Sequence, residues 1–172
     1  MSFDNLIIDY LKKEISLDNE TIFSTKLALL DTIGCIFNAS DSSQPASFAT
    51  MGKYSKINNP FEFSKNINNP SDLGRFFTTL IRWFDFNDTF LAEEWAHPSD
   101  NIGSLLSYFI TRGGTLKDFS EAIIRTYEIQ GSLSLGTSLN KQGYDHVFFV
   151  KMASGSVYAD LISSGNEEII TR

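Results

Sequence analysis

SDLGRFFTTLIRWF, residues 71–84, is the stretch whose reading decides the fold. Leu73, Phe76, Phe77, Leu80, Ile81 and Phe84 recur at spacings of three and four, which lines one face of a helix with apolar side chains. A half-buried strand would instead alternate apolar and polar residues. Ser71 suits the N-cap, and Pro70 marks the break before it. The reading is an amphipathic helix with a continuous inward face.

The same period extends in both directions. Ile102, Leu105, Leu106, Phe109 and Ile110 repeat it downstream, and Gly113-Gly114 is a helix stop. Thr115 and Asp118 have capping-box spacing ahead of Phe119, Ala122, Ile123 and Tyr127. Upstream, FSTKLALLDTIGCIF (23–37) predicts a helix burying Ile33, Ile36 and Phe37, and residues 3–14 predict another. VFFVKMASGSVYADLIS (147–163) predicts the last, closed by Gly165. Its small residues Ala153 to Ser156 are expected to admit a close helix crossing. Between residues 38 and 70 the pattern weakens to two Asn-Asn-Pro turn signals and a short helix near 45–55. No alternating run makes a strand, so the expectation is one all-α domain over residues 1–172.

Composition sets outer bounds. A chain of 172 residues with 42% hydrophobic residues and fifteen Phe has ample apolar surface for a core. A net charge of −7 argues against nonspecific nucleic-acid or anionic-membrane binding, and no apolar run is expected to reach the roughly 20 residues of a span. The single cysteine, Cys35, rules out an internal disulfide or a cysteine metal site, and reads as a buried apolar residue. No targeting pattern opens the chain, which points to the cytoplasm.

Chemistry concentrates in WFDFNDTFLAEEWAHPSDNIG, residues 83–103, with five carboxylates, two tryptophans and one of two histidines. Asp85 and Thr89 share a face if the preceding helix continues through them. Pro98 biases His97 away from helical geometry, and Ser99-Asp100-Asn101 offers caps for the next helix. His97 is therefore placed just before a helix N-terminus, where free N–H groups favour a bound carboxylate. His146, in KQGYDHVFFVKMAS, has the same setting. Titratable imidazoles at anion-binding helix ends suit proton transfer to a carboxylate substrate. Glu93-Glu94 reads as a solvated acidic turn. Zinc-protease, P-loop, dinucleotide-binding and nucleophile-elbow patterns are all missing from the sequence.

These two stretches resemble the MmgE/PrpD family. The resemblance is carried by Ile81 to Thr89, Ala92 to Trp95, His97 to Gly103, Tyr127 to Gly131, and Gly143 to Val147 running on through Val150 to Ser154. LLDTIGCIF fits the family's early helix. The resemblance implies an all-helical N-terminal domain and a usually dimeric hydro-lyase that needs no cofactor or metal. The implied reaction removes water from 2-methylcitrate to give 2-methyl-cis-aconitate in propionate catabolism. It implies catalytic roles for Asp85, Thr89, His97 and His146, with the division between the histidines open. Arg82, Ser99 and Lys141 are expected to bind the tricarboxylate, because its charges need positive or hydrogen-bonding partners. Family enzymes carry a second α/β domain, expected here from further or separate polypeptide. Alternatives are a non-catalytic interaction module and a relative acting on another acid such as cis-aconitate.

Overall fold

Both Asn-Asn-Pro triplets turn out to be helix starts. Asn59 and Asn69 each cap with the side-chain oxygen, accepting from Phe61 and Glu62 N–H and from Ser71 and Asp72 N–H respectively. The proline follows at the first helical position, where a missing N–H costs nothing. The capping residue of the central helix is thus Asn69 and not Ser71, since a helix can begin on Pro70 itself.

The computed structural model describes residues 3–163. Their helices are α1 (Phe3–Leu11), α2 (Asn19–Ser40), α3 (Ser43–Thr50), α4 (Pro60–Ser64), α5 (Pro70–Arg82), α6 (Ile102–Arg112), α7 (Leu116–Gly136) and α8 (Val147–Ser163). Short 3-10 turns at Pro98–Asn101 and Asn140–Gln142 precede α6 and lead toward α8. One antiparallel bridge, Phe90 with Ala96, is the β pairing among the described residues. The all-α expectation holds. The expected stop at Gly165 lies outside the described residues.

α5 is central. Leu73, Phe76, Phe77, Leu80 and Ile81 are buried, each contributing about 1.5–3 kcal/mol by leaving water. Phe76 and Phe77 join Phe61 and Phe63 in an aromatic cluster with centroid distances of 5.1–5.6 Å. Phe84, read as part of this face, is exposed, because the helix ends at Arg82. The tightest crossing is between α5 and α6 at Gly103, where an added Cβ would lie 2.0 Å from Thr78 Oγ1 and 2.7 Å from Thr78 N.

The small-residue patch of α8 faces its neighbours only in part. Ala153 is buried, but a Cβ on Gly155 would meet nothing within 4 Å. On α2, Ile36 is buried while Phe37 points outward, because the inward face is set by Thr25, Thr32, Cys35, Ile36 and Ala39. α2 is also long and apolar enough, by length and composition alone, to cross a membrane, with mean hydropathy 1.3. No such run was expected. Its charged residues, Glu20, Lys26 and Asp31, are too sparse to interrupt it. Thr115 and Asp118 form the expected capping box on α7.

Candidate active site

Beyond Arg82 the chain leaves helical geometry, so Asp85 and Thr89 do not share a helix face. Asp85 instead adopts a left-handed conformation, φ 58°, unusual for a residue with a Cβ. Such strain costs on the order of 1 kcal/mol and gathers at functional sites. This turn carries the Asp85 carboxylate back onto the Arg82 guanidinium, which donates to Oδ1. The Arg82 hydrogen bond and charge hold the Asp85 carboxyl below the usual range.

Asp88 organises the segment after this turn. Its Oδ1 accepts from Ser99 N–H at 2.9 Å and its Oδ2 from the Tyr127 hydroxyl at 2.8 Å. Burial, then the Asp88 charge, pushes the Tyr127 phenol up, so it stays a donor. The Asp88 carbonyl lies 2.7 Å from His97 Nδ1. A carbonyl only accepts, so Nδ1 carries the proton and Nε2 faces the site. His97 Nε2 is 3.5 Å from Asp85 Oδ1. His97 is buried and stands immediately before the 3-10 turn leading into α6, as its sequence placed it.

His146 arrives from the other side, one residue before α8, and is also buried. Its imidazole centroid is 5.8 Å from that of His97. Neither ring nitrogen has a hydrogen-bond partner. Asp145 Oδ1, which accepts from Val147 N–H at 2.9 Å, lies 3.0 Å from Nδ1 as a charge contact without forming a hydrogen bond to it. Burial pulls the His146 imidazole below its ordinary value, ahead of the opposing pull of Asp145. Two unpartnered nitrogens on a buried imidazole are a demand for a ligand.

The structure thus brings Arg82, Asp85, His97 and His146 together. Ser99 is buried beside them, its Oγ accepting from Asn87 Nδ2 at 2.8 Å. Thr89 is exposed on the following segment, outside the cluster's hydrogen bonds and ring contacts. Lys141 sits on the surface with its ammonium 3.0 Å from Glu93.

Three further residues of the cluster are not among the site residues the sequence pointed to. Asp100 is buried, with Oδ2 3.5 Å from Arg82 Nε and 3.9 Å from His146 Nε2. Burial pushes its carboxyl up to about 6 despite the Arg82 charge. Trp95 lays its indole 4.2 Å from the His146 ring and 5.5 Å from His97. Glu94, read as solvated, is 1% exposed. Burial raises its carboxyl, but hydrogen bonds from Asn140 and Ser138 outweigh that and hold it low. The one available signal was proximity: all three lie within a few residues of His97.

Chemically, the cluster offers two imidazoles and a carboxylate at helix starts, with a guanidinium from the end of α5 and a second carboxylate just beyond it. That set can bind a carboxylate and move protons on either side of it.

Residues 12–171 match the family model described as the MmgE/PrpD N-terminal domain. A probable 2-methylcitrate dehydratase of Saccharomyces cerevisiae is 34% identical, over 93% of this chain and 33% of the yeast protein. The mitochondrial 2-methylcitrate dehydratase of Yarrowia lipolytica is 32% identical, over 94% of this chain and 34% of its own length. The 2-methylcitrate dehydratase of Escherichia coli K12 is 44% identical over 53% of the chain and 21% of the enzyme. The chain spans about a third or less of the length of these relatives.

Proposed function

The chain belongs to the MmgE/PrpD family, and on that premise we propose that it supplies the helical half of a 2-methylcitrate dehydratase site. The observation that carries this reading is the pairing of two buried imidazoles in unlike environments, 5.8 Å apart, beside a guanidinium.

Dehydration needs a base and an acid. The proton leaves the methyl-bearing carbon next to a carboxylate, its electron pair forms the new double bond, and the neighbouring C–O bond breaks. The departing hydroxide needs a proton to leave as water. His146, held neutral by burial and with no hydrogen bond of its own, is suited to take the first proton. His97 has the Asp88 carbonyl at one nitrogen and the Asp85 carboxylate facing the other. That placement suits its Nε2 to pass a proton to the leaving hydroxyl. Arg82 orients a substrate carboxylate, with Asp85 and Ser99 shaping the wall.

A substrate of three carboxylates requires more positive partners than Arg82 alone. In this reading they come from further polypeptide of the kind that makes the relatives about three times longer. Action in the cytoplasm as a homodimer belongs to the same reading.

The test is dehydration of 2-methylcitrate by the protein together with its complementing polypeptide, followed by product identification. His97→Gln and His146→Gln are each expected to lower kcat by about a hundredfold or more. Turnover of cis-aconitate in place of 2-methylcitrate would move the assignment to a different family reaction. Stable partner binding with no turnover of either acid would replace it with a non-catalytic interaction module.

A further inference from the structure

His97 and His146 reach the site on two separate loops, 83–97 after α5 and 137–146 after α7. One buried side chain joins those loops. Glu94 Oε2 accepts from Asn140 N–H at 2.8 Å and from Ser138 Oγ at 3.1 Å, while Oε1 accepts from Asn140 Nδ2. The Glu94 N–H donates to Ser134 O at 3.0 Å, tying the same residue to α7. Two positions on, Ala96 exchanges both backbone hydrogen bonds with Phe90, at 2.8 and 2.9 Å. Trp95 is therefore fixed on both sides, and its indole can aim in few directions. It lies against both imidazoles.

The need for such a device follows from His146. Imidazoles at working sites are usually oriented by a hydrogen bond to the second nitrogen. His146 has charge contacts with Asp145 and Asp100 but no hydrogen bond, so its ring orientation leans on the loop that carries it and the surface it packs against. The loop is anchored by Glu94, and the surface is Trp95. We infer that Glu94 is a positioning residue, whose buried carboxylate locks the two histidine loops together and clamps Trp95 across both imidazoles. Its consequence for catalysis rests on the dehydratase reading; the coupling itself does not.

The experiment exploits the chain's two histidines, which give two sets of imidazole ring signals in NMR. Trp95→Ala defines those signals without the indole ring current. Glu94→Ala is expected to move both sets toward the Trp95→Ala positions while helix content by circular dichroism stays unchanged. Glu94→Gln, which keeps one acceptor oxygen, is expected to move them only part of the way. Unmoved imidazole signals in a folded Glu94→Ala protein overturn the inference. Should that variant fail to fold, Ser138→Ala, which removes one hydrogen bond, decides the matter on the same signals. In the complemented enzyme, Glu94→Ala is expected to lower kcat about 10–100-fold with KM changed less than about threefold. An unchanged kcat despite shifted signals also overturns the positioning role. Absence of turnover by the unaltered protein counts against the dehydratase reading alone, and the ring signals still judge the coupling.

Discussion

Asp100 is the residue at which stability and chemistry pull hardest against each other. Its carboxyl is buried and raised to about 6 from an ordinary 3.8, with only Asn87 donating a hydrogen bond and Arg82 at 3.5 Å. The folded state holds this proton more tightly than the unfolded chain does. Stability from this group is therefore full below pH 3.8 and is lost as pH rises through 6. Asp100→Asn keeps the acceptor for Asn87 and removes the buried charge. It is expected to stabilise the fold by about 1–3 kcal/mol at neutral pH, with no gain below the ordinary carboxylate value, and to lower activity. Urea unfolding across the pH range checks this; a loss confined to neutral pH would mean the Arg82 contact outweighs the burial of the charge. Glu94 has the opposite sign. Its lowered carboxyl contributes stability above its ordinary value of 4.5, lost as pH falls through the lower value held in the fold. Glu94→Gln is expected to cost about 1–3 kcal/mol near neutral pH and much less in acid, read by the same unfolding series. Neither environment was legible beforehand. Glu94 meets Ser138 and Asn140 across 44 and 46 positions, and no local pattern encodes partners that distant. His97 and His146 were legible because their cue, a loop running into an apolar helix, is local.

Among the elements, periodicity located α5, α6 and α7 because each buries one face against neighbours, and burial is what the three-and-four spacing records. Periodicity does not say how closely two helices approach: the close approach at Gly103 was not anticipated, and within Ala153 to Ser156, where one was expected, Gly155 faces open space. Gly103→Ala places a methyl into the Thr78 backbone, which is not a flexible side-chain end that could swing away. A loss of about 3 kcal/mol is expected, with α5 forced away from the start of α6 and the adjoining His97 turn disturbed. Gly155→Ala faces open space in mid-helix and is expected to stabilise by about 0.5–1 kcal/mol, since alanine loses less backbone freedom on folding. Thermal unfolding of the pair separates the two crossings directly. Reversed signs would place the tight contact on α8 after all. The helix starts were half legible: proline announced each boundary, but asparagine, read as a turn residue, proved to be the cap.

Across the whole molecule, the inward faces close one core while a second apolar stripe is left outside. On α2, Phe23, Leu27, Leu30 and Phe37 are 41–67% exposed and succeed one another at intervals of four, three and seven. Around the site the same holds for Phe84, Phe86, Leu91 and Trp95, and for Tyr144 and Phe148 beside His146. Monomeric proteins seldom leave contiguous apolar surface of this kind open. Hydropathy alone points the wrong way here, because the outward residues of α2 are more apolar than the inward Thr25, Thr32 and Ser40; only the packing of Cys35, Ile36 and Ala39 marks the buried face. Phe37 keeps one ring contact inward, with Phe61, whereas Leu27 and Leu30 are at least half exposed, so replacing those two tests what the stripe does. Leu27→Glu with Leu30→Glu is expected to leave helix content and unfolding midpoint nearly unchanged, each change costing under about 0.5 kcal/mol as an exposed substitution. Solubility is expected to rise and concentration-dependent association to fall, measured by sedimentation over a dilution series. Loss of folding in the double variant would show instead that α2 is held from its outward face, and that the helical core does not stand without a cover on that side.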